Sequence, residues 1–198
     1  RISPGDDLDA AFAALGTADA ILEEMVPFRA EASFLVARTA DGTTSSFPAS
    51  LNSHKDGILA TSIGPADLPQ PVVVAGQSAV KQLAEALDLV GLLALETFIT
   101  ADDRLLFNEI APRPHNSFHW TIEGCASSQF TQLIRAVAGL ALGSPACYGR
   151  WQCACLLGED MPRLAALSAE PGLHLHLYGK QDAKAGRKMG HTNRKIEG

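Results

Sequence analysis

Three features predict an α+β fold, with an antiparallel sheet and packed helices followed by a small β-rich module. Apolar, strand-like runs flank two Asp-containing turns, "TADGT" and "ADDR". Two stretches, residues 78–90 and 127–142, carry apolar side chains at helical spacing. Near the C-terminus, "CACLLG" and "LHLHLYG" read as short strands between turn signals. The 198 residues suffice for one good-sized core, or a domain plus a small module.

Taken in order, residues 7–15 place Leu8, Ala11, Phe12 and Leu15 on one helical stripe, closed by Gly16. "AILEEMV" is short and apolar, with an acidic pair inside and Pro27 behind it. "SFLVAR" is a strand leading into the Asp41-Gly42 turn. Its return, "SSFPASL", contains Pro48, which lacks an N–H, so it should run at an edge or break there. Residues 52–57 read as a polar loop, and "PADLPQPVVVAG" as irregular until Val72. The helix over 78–90 buries Val80, Leu83, Ala84 and Leu87, and Gly91 caps it. Residues 92–100 and 105–110 are strands. The helix over 127–142 has a stripe of Phe130, Leu133, Ile134, Val137 and Leu140, stopped by Gly143 and Pro145. The polar end, "GHTNRKIEG", reads as a tail or linker.

A net charge of −6 argues against a nucleic-acid-coating surface, and no apolar run approaches a membrane span. Cys125, Cys147, Cys153 and Cys155 fit no common zinc spacing and read as buried, reduced thiols. No charged-then-apolar leader opens these residues, and a cytoplasmic location is the expectation. The absence of an initiator Met suggests a piece of a longer chain.

The strongest physical clue lies around "ADDR". With an even-length turn centred between Asp102 and Asp103, Glu96 stands opposite Glu109. Directly paired like charges destabilise a sheet. Both glutamates are flanked by apolar residues, so they need a proton or a cation. An oxygen-ligated divalent cation resolves the conflict, unless the register slips by one and separates them. Asn108 adjoins the pair, although strand alternation aims it at the other face unless the backbone bends.

The segments "EEMVPFRAEASFLVAR", "FPASLNSHKDGILATSI", "NEIAPRPHNS" with the following "HWTIE" and "SQF", and "GRKMGH" occur in that order. Together they closely resemble the carboxyaminoimidazole ribonucleotide synthase family, the biotin-independent ATP-grasp carboxylases of purine biosynthesis. The resemblance spans nearly the whole chain and covers the C-terminal half of that family. It implies that residues 1–22 are the tail of the ATP-grasp small lobe, 23–143 the major lobe and 144–198 a β-rich C-terminal module. The implied reaction carboxylates aminoimidazole ribonucleotide with bicarbonate and ATP, through carboxyphosphate.

Roles carried over from the resemblance are these. Glu23, Glu24, Val26, Glu31 and His54 contact the nucleotide, and Asn108 and Glu109 border it. Glu96, Glu109 and Asn108 hold Mg2+. Arg113 is catalytic, and Arg113, His115, Asn116, Arg187, Lys188 and His191 bind anionic substrate. With a turn at Asp41-Gly42, Glu31 lies opposite Asn52, which brings His54 to the same end of that hairpin. Partners implied are the missing N-terminal half, a fused mutase and a second copy in a homodimer. No "GYDGKG"-like ATP-covering loop is present, so the resemblance implies that this chain is incomplete alone. Two departures stand out: Phe118 where the family usually has Gly, expected to crowd the loop, and Cys155 where it usually has Asn.

Overall fold

The computed structural model describes residues 2–17 and 19–196. Helix α1 (Leu8–Leu15) starts at Asp7, whose side chain accepts from the N–H groups of Asp9 and Ala10, and ends at left-handed Gly16. None of its residues is buried, so the predicted stripe faces outward. Residues 19–29, which include all of "AILEEMV", form no helix or strand. Strand β1 (Ala30–Arg38) turns back into β2 (Thr44–Ser46) and β3 (Ser50–Lys55). The break between those two falls at Pro48, as expected from its missing donor.

Residues 52–57 are not a loop. Asn52 to Lys55 finish β3, and Asp56 and Gly57, both at positive φ, form the two-residue turn into β4 (Ile58–Gly64). The Asp-Gly pair was the signal for this hairpin. Helix α2 (Gln70–Ala86) starts eight residues before the expected Ser78, because Pro71 in its first turn initiates rather than breaks it. Gly91 opens β5 (Gly91–Ile99) instead of capping that helix. Strand β6 (Leu105–Ala111), the one-turn helix α3 (Thr121–Gly124) and α4 (Gln129–Val137) follow.

Helix α4 is shorter than expected. It buries Gln129, Gln132 and Ala136, while Phe130, Ile134 and Val137 remain exposed, as does Leu140 beyond its end. The glutamines win the inward face because each is a backbone clamp. Gln132 bonds both the N–H and C=O of Gly143, and Gln129 those of His115.

The C-terminal strands β7 (Arg150–Leu157), β8 (Leu173–Leu177) and β9 (Lys188–Ile196), with α5 (Leu164–Ser168) between the first two, do not build a sheet of their own. They extend one antiparallel sheet of nine strands, ordered β6-β5-β1-β3-β4-β7-β9-β8, with β2 beside β1. The expected polar tail is therefore β9 as far as Ile196, between β7 and β8; residues 197 and 198 lie outside the described chain. No helix among the described residues is long and apolar enough to cross a membrane.

Strand alternation divides the core in two. One face packs Phe34, Val36 and Leu95 under α2. The other packs Leu35, Phe47, Phe118, Trp120 and Trp151. On the α2 side, a Cβ on Gly76 would stand 2.1 Å from Phe34 Cζ. Gly76→Val is therefore expected to cost about 2–3 kcal/mol through overpacking, read as a lower urea midpoint with unchanged slope.

Candidate active site

The hairpin turns at residues 40–42 and 101–103 are the same structure. In each, a Thr hydroxyl donates to an Asp two residues on, and a residue at positive φ follows: Gly42 in one, Asp103 in the other. These are three-residue loops, closed by Thr39 with Thr43 and by Thr100 with Arg104. The even-length turn expected at Asp102-Asp103 is thus one residue off. Near that turn, Ile99 pairs with Leu105 and Thr97 with Phe107. A bulge then absorbs Asn108, so Glu96 does pair with Glu109. The bulge is the bend that lets Asn108 share a cavity with both glutamates. The first hairpin repeats the trick: a one-residue offset at Pro48 brings Glu31 opposite Asn52.

The cavity, of ≈ 580 Å³, collects Glu31 from β1, His54 from β3, Glu96 from β5, and Asn108 and Glu109 from β6. Arg113, His115 and Asn116 from the following loop and Lys188 from β9 complete its polar wall. His54 Nδ1 lies 2.5 Å from Glu31 Oε2. Asn52 donates to Ser33 Oγ at 2.6 Å, and Ser33 reaches Glu96 Oε1 at 3.4 Å. Burial pushes the Glu96 carboxyl above its ordinary value; nearby His54 opposes this, and Glu109 and Glu31 add to it.

His115, expected to meet anionic substrate, lines the cavity and also faces the paired glutamates. Its Nδ1 meets Ser117 Oγ at 2.8 Å, leaving Nε2 at 3.6 Å from Glu96 and 3.9 Å from Glu109. Burial first, then Arg113 and Lys188, lower this histidine to about 4, so it is neutral at pH 7 and does not cancel the paired carboxylates. Glu96, Glu109 and His115 each offer a ligand atom within 4.8 Å of the others, a donor set that fits a divalent cation.

Sequence reasoning missed the apolar wall: Met25, Phe28, Leu59 and Phe98. Phe28 and Phe98 stack at 4.7 Å. Phe98 was legible, two residues from Glu96 on the same strand face. Glu23, Glu24 and Val26 do not line the cavity, although Met25 among them does. Arg187 precedes the cavity-lining Lys188, and its guanidinium donates to Asp182 O at 3.1 Å.

His191 is not on the cavity wall either. The pairing of β9 with β7 and β8 carries it into the core, 2% exposed. Its ring stacks between His119 at 4.5 Å and His176 at 4.6 Å, and His176 pairs with Glu123. Tyr178 OH meets His191 Nδ1 at 2.9 Å. Burial lowers His119 to about 4 and His191 to about 3. The unfolded chain therefore takes up protons below about pH 6.5 that these buried rings refuse. Stability present at pH 7 should fall as pH drops from about 6.5 toward 4, by about 1–2 kcal/mol per ring at pH 5. Urea midpoints at pH 7.5 and 5 measure it, and His191→Phe should shrink the difference.

The chain belongs to the ATP-grasp family, whose domain matches residues 2–130. More particularly, residues 155–195 match the phosphoribosylaminoimidazole carboxylase C-terminal domain. The N5-carboxyaminoimidazole ribonucleotide synthase of Brucella melitensis is 47% identical over 196 residues, 98% of this chain and 54% of that protein. Among solved structures, an N5-carboxyaminoimidazole ribonucleotide synthetase in an ADP complex superposes with a TM-score of 0.94 at 41% identity, covering 100% of this chain and 52% of its own. The Aspergillus clavatus synthase, complexed with ADP and 5-aminoimidazole ribonucleotide, gives 0.86 at 30% identity, over 95% and 52%. The chain spans about half the length of the curated relatives it matches.

Proposed function

We propose that this chain is the C-terminal half of an ATP-dependent carboxylase of purine biosynthesis. The complete enzyme converts aminoimidazole ribonucleotide, bicarbonate and ATP to carboxyaminoimidazole ribonucleotide, ADP and phosphate. One observation carries the reading: three carboxylates (Glu31, Glu96, Glu109) and two cations (Arg113, Lys188) line one cavity. That charge pattern suits a cation, a polyphosphate and an anionic substrate together. The two family matches and the ligands named for the solved relatives support it. In this reading the small-lobe tail is 1–22, the major lobe 23–143 and the C-terminal module 144–198.

ATP phosphorylates bicarbonate to carboxyphosphate, and the exocyclic amine of the ribonucleotide captures the carboxyl group or released carbon dioxide. Glu31, held by His54, accepts from the ribose hydroxyls. Met25, Phe28, Leu59 and Phe98 give the base an apolar berth. Glu96 and Glu109, with Asn108 and His115 beside them, would hold Mg2+, which when bound neutralises phosphate charge. The Arg113 fork binds carboxyphosphate oxygens, and His115 and Asn116 border the same anion. Lys188, with Arg187 beside it, meets the ribonucleotide's phosphate. No side-chain nucleophile is required; positioning and charge do the chemistry.

The test is ADP release by the full-length protein with Mg2+, ATP and bicarbonate, with and without aminoimidazole ribonucleotide. Strong stimulation by the ribonucleotide is expected. Release indifferent to it would keep the ATP-using fold and remove the substrate; no release at all would remove the enzyme.

A further inference from the structure

Cys125 and Cys147, 22 positions apart, meet in an isolated antiparallel bridge. The flanking bonds run from Ala126 N to Ala146 O at 2.8 Å and from Tyr148 N to Gly124 O at 2.7 Å. Their arrangement makes the two cysteines a pair that exchanges no backbone bonds, the kind whose Cα atoms stand closest, about 4.5 Å apart. That spacing lies within the roughly 4.4–6.8 Å that a disulfide spans. Their sulfurs lie 2.8 Å apart. Cys147 is partly exposed and Cys125 buried, so a small oxidant reaches one of them first. That exposure makes Cys147 the attacking thiol and Cys125 the resolving one. The other two cysteines offer no such pair. Cys153 and Cys155 sit on one strand opposite Asn193 and His191.

We propose that Cys125 and Cys147 are a site of reversible disulfide formation that locks the segment carrying α4. Cys147 thiolate attacks one sulfur of a low-molecular-weight disulfide such as oxidised glutathione. That S–S bond breaks and one half leaves as a thiol. Cys125 thiolate then attacks the Cys147 sulfur, breaking the mixed disulfide and releasing the second half. The pair loses two electrons and two protons, and the small disulfide gains both. The bridge ties together the two ends of the segment that holds Gln129, whose amide bonds both the N–H and C=O of His115. Oxidation thus fixes the support beneath the cavity's histidine and restricts the unfolded chain.

The experiment treats the full-length protein with oxidised glutathione, then maps thiols by alkylation and peptide mass spectrometry. A peptide linking Cys125 to Cys147 is expected, with Cys153 and Cys155 still alkylated. The thermal midpoint should rise and return on adding dithiothreitol. Cys147→Ala should remove both the linkage and the rise while matching the reduced wild type in midpoint; Cys155→Ala should leave both in place. Four free thiols, a lasting glutathione adduct on Cys147, or a Cys153–Cys155 link would each overturn the proposal. A linked pair with an unchanged midpoint would overturn the locking role.

Discussion

Phe118→Gly is expected to lower the stability of the fold by about 3–5 kcal/mol. The family resembled by this chain usually has glycine here, so the bulky ring was expected to crowd the loop. Its surroundings say otherwise. Phe118 is 0% exposed, with ring centroids 6.3 Å from Phe47 and 6.4 Å from Trp120. It closes a short 3₁₀ turn, Asn116–Phe118, and is not among the residues at positive φ, so the conformational freedom of glycine is unused. Removing the ring opens a void between two large aromatics, Phe47 in the connection from β2 to β3 and Trp120 in the turn before α3. It also unpins the turn just after His115, whose carbonyl receives the Phe118 N–H at 3.0 Å. Phe118→Leu keeps most of the volume and should cost less than about 2 kcal/mol. Urea midpoints of the full-length protein decide it. A loss under 1 kcal/mol for the glycine variant would mean that this core repacks freely and that Phe118 is not its anchor.

The sequence made the α+β fold and the Glu96–Glu109 and Glu31–Asn52 pairings legible, because strand alternation and turn residues act locally. The pairings nevertheless hold for a reason the pattern did not contain. Each three-residue turn shifts the register by one, and each hairpin restores it, through the Asn108 bulge in one and at Pro48 in the other. Local rules cannot foresee two offsets that cancel. The tail that became β9 was misread because its residues are polar. Asn193 and His191 are buried by hydrogen bonds and ring stacking rather than by apolar character. The α4 stripe misled for the converse reason: glutamines that clamp backbone displaced it from the inward face. Cys125 and Cys147 meet only because residues 126–146 fold back on themselves, which no spacing rule encodes.

Glu96→Gln is expected to stabilise the full-length protein in chelator while lowering ADP release by at least about 100-fold. The two effects have one cause. Glu96 is a largely buried carboxylate, 12% exposed in its side chain, facing Glu109 across the strands, and both burial and that neighbour disfavour its charge. An amide removes the repulsion and can still accept from Ser33, so the fold should gain about 1 kcal/mol. The same substitution takes away the charge that would hold a divalent cation against phosphate. Mg2+ should therefore raise the thermal midpoint of the wild type by mass action and leave that of the variant nearly unmoved. Glu109→Gln should behave alike with a smaller gain, since its side chain is 55% exposed and less desolvated. Stability and activity moving in opposite directions is what a strained, function-bearing pair requires. If both fall together, Glu96 is a structural group held by Ser33 and Asn52, and the cation belongs elsewhere in the cavity.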